Sequence, residues 1–267
     1  MPEYSEIIYE KKDRVAWITI NRPQRYNSLT QHTFGELADA IAHAGNDATV
    51  GVVVITGAGD KAFSSGGDVK ERTPEGYGDA PVGQGLSIMR LIKCMPKAVI
   101  AMVDGYAIGW GNILAFNCDL TICSERSRFG QTGPRVGSYD VGWGTTYLAR
   151  VVGPKKAREI WFLCRQYSAQ EALDMGLVNK VVHHDELRAE VEQWCKEILA
   201  KSPTAIAAIK ASFNPDTEHI AGIHTMGHLS LDMYYRTEEA QEGGRAFNEK
   251  RDPDFAKYPY PKMLPQG

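Results

Sequence analysis

Apolar positions along the chain follow two rhythms, one of isolated short runs and one of helical spacing. The opening segment "EIIYEKKDRVAWITINRP" holds two apolar runs on either side of a charged turn, which predicts a hairpin that ends at Pro23. "TQHTFGELADAIAHAGND" then spaces Phe34, Leu37 and Ile41 on one side of a helix, with Thr30 as its cap and Gly45-Asn46-Asp47 as its stop. "VGVVVITGAG" is almost wholly apolar and rich in β-branched residues, as a strand buried on both faces would be. Strand and helix in alternation predict α/β crossovers.

"AVIAMVDGYAIGWGNILAFNCDLTICSE" repeats the theme as a buried strand, a glycine-punctuated turn, a helix and a second strand at "LTICSE". After Gly153 the pattern is helical in "PKKAREIWFLC", "SAQEALDMG", "HDELRAEVEQWCKEILAKS" and "PTAIAAIKASF", so the last third is mostly helix. Between Glu71 and Gln84, "ERTPEGYGDAPVGQ" predicts a long, mobile loop. No internal repeat and no linker marks a second independent domain. One α/β domain with a helical tail accounts for 267 residues.

Composition narrows the class. With 43% hydrophobic and 24% charged residues, the chain reads as an ordinary globular protein. A net charge of -3 gives no broad attraction to nucleic acid or anionic lipid. The five cysteines, at 94, 118, 123, 164 and 195, contain no C-x-x-C pair, and reduced thiols in a cytoplasmic protein are the plain expectation. The N-terminus lacks the apolar stretch of a signal peptide, and no run approaches the roughly 18 apolar residues of a membrane span. The histidines at 183, 184 and 228 show no metal spacing and read as surface or packing residues, so no metal is expected.

Two glycine turns carry the candidate chemistry, "AFSSGGD" after one buried strand and "GYAIGWGN" after another. Backbone amides left open at such turns suit a developing negative charge, and two aimed at one carbonyl oxygen would stabilise an enolate. Tight turns that use glycine only for close packing are the alternative. In "FGQTGPRVGSYD" a lone carboxylate, Asp140, stands two residues after a hydroxyl, Ser138. A surface Asx-type turn would also use these residues.

In the order "INRPQRYNSL", "AFSSGGD", "GYAIGWGN", "CDLTICSE" and "ALDMGLVNKVV", the chain resembles the crotonase (enoyl-CoA hydratase/isomerase) superfamily over nearly its whole length. The resemblance implies an α/β, crotonase-like spiral of ββα units over 1–200 and a C-terminal helical trimerisation region over 201–267. It further implies trimers or hexamers and coenzyme A thioester substrates. By motif match, Gly67 and Trp110 supply the two oxyanion amides. Ser64, Ser65, Gly66, Asp68, Val69, Gly109 and Thr132 border the thioester, Arg25 lies beside the adenine-side loop, and Lys250 meets a phosphate of coenzyme A. Trp110 departs from the usual glycine, so its side chain either narrows the acyl pocket or distorts the hole.

The two glutamates with which hydratases of this superfamily handle water fall at Ile113 and Gly133, so simple hydration is not expected. The segment around "QTGPRVGSYD" resembles a branch that makes or breaks a carbon–carbon bond beside a thioester. That branch holds 2-ketocyclohexanecarboxyl-CoA hydrolase and 1,4-dihydroxy-2-naphthoyl-CoA synthase. Its motif implies Ser138 and Asp140 as catalytic hydroxyl and carboxylate, and Tyr77 and Tyr235 as phenols on the acyl group, Tyr235 from this chain's tail or a neighbour's. Gln131, Gly133 and Trp161 match the place where some synthases hold bicarbonate as a borrowed base; otherwise no cofactor is expected. "SSGGDVKER", the short loop after it and the tail "AGIHTMGHLSLDMYYRT" are closer to the ring-opening hydrolase. "GQTGP" and "WFLCRQY" are closer to the ring-closing synthase. A thioester-binding scaffold without activity is the third reading.

Overall fold

The computed structural model describes residues 3–72 and 84–261; Tyr77 and the loop expected between Glu71 and Gln84 lie outside them. Strands β1 (Ile7–Lys12) and β2 (Val15–Ile20) form the predicted antiparallel hairpin. Its two turn residues, Asp13 (φ 50°) and Arg14 (φ 65°), are both left-handed, as the twist of a two-residue hairpin requires. Parallel strands β3 (Val52–Gly57), β5 (Ala98–Val103), β7 (Leu120–Ser124) and β10 (Lys180–Val182) extend it into a sheet of order β1-β2-β3-β5-β7-β10.

Strand periodicity explains why these runs are apolar throughout. Ala16, Ile18, Val53, Ile55 and Val99 face the main core, whereas Val15, Trp17, Val52, Val54 and Ile100 face the opposite side. That far side is covered by Leu187, Val191 and Cys195 of helix α7 (Leu187–Leu199). The near side receives Leu37 and Ile41 of α1 (Gln31–Asn46), capped by Thr30 as expected and running on through Gly45 and Asn46.

A second, smaller sheet was not anticipated. Its strands, β4 (Ala62–Ser64), β6 (Tyr106–Ile108), β8 (Arg128–Gly130) and β9 (Gln166–Ser168), have the order β4-β6-β8-β9. Strands β3, β5 and β7 of the first sheet therefore each feed a short one of the second. Helix α2 (Gln84–Cys94) follows β3 and β4, and α3 (Trp110–Asn117) follows β5 and β6, which gives the spiral of ββα units.

Helices α4 (Thr146–Val152), α5 (Pro154–Leu163) and α6 (Ala169–Asp174) complete the core. The tail is α8 (Pro203–Ser212), α9 (Glu218–Tyr235) and α10 (Glu238–Glu249). α9 and α10 fold back over the loop that carries Ser138 and Asp140. Gly243 lets α10 approach so closely that a Cβ there would stand 2.2 Å from the Gly137 nitrogen. All five cysteines are free thiols, and among the described residues no helix is long and apolar enough to cross a membrane.

Candidate active site

The two glycine turns meet. A Cβ built on Gly66 (φ +90°) would stand 2.8 Å from the Ile108 carbonyl oxygen and 3.0 Å from the Trp110 nitrogen, so only glycine permits this approach. Leu29 bridges the first turn: its N–H donates to the Gly66 carbonyl at 2.8 Å, and its carbonyl accepts from Asp68 N–H at 2.9 Å. This parallel bridge turns the intervening Gly67 N–H away from Leu29. Trp110 opens α3 behind Gly109 (φ 57°, ψ -124°), and the first amides of a helix have no intrahelical acceptor. Neither the Gly67 nor the Trp110 N–H has a backbone acceptor among the described residues, and both residues border one cavity of about 1390 Å³.

The same cavity is bordered by Ser138, Asp140 and Tyr235. Burial pushes the Asp140 carboxyl up to about 6, against the opposing pull of His224 and of the Gly144 N–H, which donates to Oδ1 at 3.2 Å. Ser138 Oγ lies 2.7 Å from the Tyr235 hydroxyl, so the tyrosine reaches the site from this chain's own tail. Arg72 secures this corner, its Nη1 donating to the carbonyls of Val136 (2.8 Å) and Gly137 (3.1 Å) and its Nη2 to that of Ala240 (2.9 Å). Its guanidinium also lies 5.1 Å from the centre of the Tyr235 ring.

Trp110 keeps its amide at the helix start and lays its indole edge-to-face on Phe34, with ring centroids 4.6 Å apart. Both residues border the cavity, so the side chain occupies cavity wall. Ser65, Gly66, Asp68, Val69, Gly109 and Thr132 also border it, as do the exposed Arg25 and Lys250. Ser64 does not belong with them: it is fully buried, donating to the Asn27 carbonyl at 2.8 Å and accepting from Gly66 N–H at 3.2 Å, and so shapes the turn from beneath.

The trio implied for bicarbonate does not fit that ion as a set. Gln131, 1% exposed, has no partner for either amide atom among the described residues, which suits a ligand. Trp161, however, already donates its indole N–H to the Gly144 carbonyl at 2.8 Å. A Cβ on Gly133 would meet the Ser138 carbonyl oxygen at 2.8 Å and the Trp161 ring at 3.0 Å, so the chain's own atoms fill the space beside this glycine.

Arg72 and His224 escaped the sequence reading because their partners are remote in the chain. His183 and His184 are joined by Glu125, 3.0 Å from His184 Nδ1 and 3.7 Å from His183 Nε2, in a surface cluster whose members are each at least a third exposed. Asp185 contacts the opposite ring nitrogens, so contacts between carboxylates and imidazoles account for the arrangement.

Solved structures share this architecture. An enoyl-CoA hydratase from Mycobacterium avium subsp. paratuberculosis is 30% identical with a TM-score of 0.87, over 95% of this chain and 99% of that one. An enoyl-CoA hydratase/isomerase from Pseudoalteromonas atlantica is 25% identical with a TM-score of 0.85, over 94% of this chain and 100% of its own. A methylmalonyl-CoA decarboxylase in complex with 2-nitronate-propionyl-CoA is 28% identical with a TM-score of 0.80, over 96% of this chain and 100% of its own. The family model described as enoyl-CoA hydratase/isomerase matches residues 10–258, so this chain belongs to that family.

Proposed function

We propose that this chain opens the ring of a cyclic β-ketoacyl-CoA, such as 2-ketocyclohexanecarboxyl-CoA, by hydrolytic retro-Claisen cleavage. The observation that carries the reading is a largely buried carboxylate, Asp140, on the same cavity as two amides without backbone acceptors among the described residues. Asp140 takes a proton from water as its oxygen attacks the ring ketone carbon. The bond from that carbon to the α-carbon then breaks, and its electron pair passes into the thioester. The enolate oxygen accepts hydrogen bonds from Gly67 and Trp110; removing one such donor typically costs about 3–4 kcal/mol of transition-state stabilisation. The proton that Asp140 took from water passes to the α-carbon, with the Ser138 and Tyr235 hydroxyls alongside, and leaves a dicarboxylic mono-thioester.

One carboxylate is enough because backbone dipoles hold the charge, so Asp140 handles a single water. Hydration of an enoyl thioester is disfavoured, because Ile113, which borders the cavity, offers no acid or base. A cavity of about 1390 Å³ suits a ligand as long as a coenzyme A thioester, with Arg25, Lys70 and Lys250 among the basic residues on its border. The relative named as a methylmalonyl-CoA decarboxylase is consistent with this chemistry, since loss of CO2 from a malonyl thioester also breaks a carbon–carbon bond to leave an enolate. Apolar side chains exposed in the helical tail, Phe213 (71%), Met226 (70%) and Met233 (73%) among them, support the homo-oligomer, trimer or hexamer, implied for that region.

The unpaired Gln131 amide favours ring closure as the second reading, with o-succinylbenzoyl-CoA as substrate. Incubation with each thioester, followed by product mass, separates the two. Ring opening adds one water to the first substrate and leaves the second untouched. Loss of water from the second, or inertness toward the first, overturns the proposal.

A further inference from the structure

One imidazole faces Asp140 among the described residues, and it comes from far along the chain. His224, 3% exposed on α9, sets Nδ1 3.0 Å from the Val141 carbonyl oxygen and 3.8 Å from Asp140 Oδ1. A carbonyl only accepts, so Nδ1 carries a proton whenever this bond is made. Nε2 is buried with no hydrogen-bond partner among the described residues. Behind it stands His228, with ring centroids 4.7 Å apart; burial first, and His224 second, push its pKa down to about 4, so it is neutral at ordinary pH. On its own loop Asp140 meets only the Gly144 N–H, and its remaining surroundings withdraw it from water.

The loop and the helix are fitted to one another. A Cβ on Gly142 would lie 2.8 Å from the His224 Cβ, and one on Gly227 would lie 1.6 Å from a Val141 methyl. These two glycines let Val141 pack into α9 and bring the imidazole beside the carboxylate.

We propose that His224 is the positioning residue of Asp140: its Nδ1–H is tethered to the Val141 carbonyl, which sets the imidazole edge against the carboxylate at 3.8 Å, where the N–H dipole favours its ionised form. The inference rests on the reading of Asp140 as the base in ring opening, and it assigns the imidazole no contact with substrate. His224→Leu removes the Nδ1 donor, whereas His224→Asn keeps an amide donor within reach of Val141.

The expected result is a kcat profile whose acid limb moves to higher pH in His224→Leu, by about one unit, with a smaller move in His224→Asn and KM within twofold. A purely structural histidine would lower the melting temperature in both variants and leave the limb in place. Carboxyl 13C NMR titration without substrate, with Asp140→Asn to assign the signal, reads the same displacement independently of turnover. If that signal moves while the wild type cleaves no cyclic β-ketoacyl-CoA, the proposed reaction fails and the pairing stands. If signal and limb both stay fixed in a folded variant, the inference is overturned; should His224→Leu not fold, His224→Asn decides alone.

Discussion

Replacing Asp140 by asparagine should stabilise the protein while abolishing turnover. Burial raises this carboxyl from 3.8 to about 6, so the folded chain holds its proton about two pH units longer than the unfolded one. At about 1.4 kcal/mol per unit, the ionised carboxylate costs the folded state about 3 kcal/mol. The sign follows from the order of titration. Below the unfolded value both states are protonated and the cost is absent; it grows as pH rises and is complete above the folded value. The replacement amide carries no charge and still offers an acceptor to the Gly144 N–H. Denaturant unfolding at pH 4 and pH 8 should therefore show nearly equal stabilities at the lower pH and a variant more stable by roughly 1–3 kcal/mol at the higher one. Turnover of 2-ketocyclohexanecarboxyl-CoA should vanish, with thioester binding nearly unchanged. A variant less stable at pH 8, or a difference that ignores pH, refutes the assignment of a strained carboxylate; retained turnover refutes its role as base.

Gly66→Ala should lower kcat by about 10²–10³, because its Cβ would press on the Ile108 carbonyl and the Trp110 amide and part the two donors; steady-state kinetics within twofold of wild type would disprove convergence of the hole. Trp110→Gly keeps the amide but loses the contact with Phe34, so melting should show a loss of at least the ~0.5–1.5 kcal/mol of an aromatic pair, and bulkier acyl thioesters should gain in kcat/KM. Unchanged acyl preference would remove the indole from the acyl wall. Arg72→Met strips donors from three backbone carbonyls and should cost about 1.5–3 kcal/mol, with kcat falling more than KM rises. Stability lost with kcat intact would limit Arg72 to the scaffold.

The parts of this molecule legible in its sequence are those whose causes are local. Val52–Gly57 and Ala98–Val103 announce buried strands because consecutive residues pack on opposite cores, and Thr30 caps the helix that follows it in sequence. The turns at Gly66 and Gly109 were visible because glycine suits φ +90° pressed against the Ile108 carbonyl and φ 57° combined with ψ -124°. The second sheet was hidden because a strand of three residues, such as Tyr106–Ile108, is too short to show a period. Partnerships were hidden for another reason: Arg72 bonds Ala240 across 168 positions and His224 bonds Val141 across 83, distances over which the letters record no geometry. Tyr235 stands in the tail on sequence position alone, while its hydrogen bond to Ser138 needed the folded chain.

The seating of Val141 in the notch left by Gly227 makes the Asp140 carboxylate and α9 mechanically one piece. Met226 and Met233, on the outward side of that helix, are 70% and 73% exposed in the single chain. Subunit contacts over those methionines would therefore be felt at the carboxylate without entering the cavity. Specific activity should then fall on dilution before any unfolding begins, and recover when the protein is concentrated again.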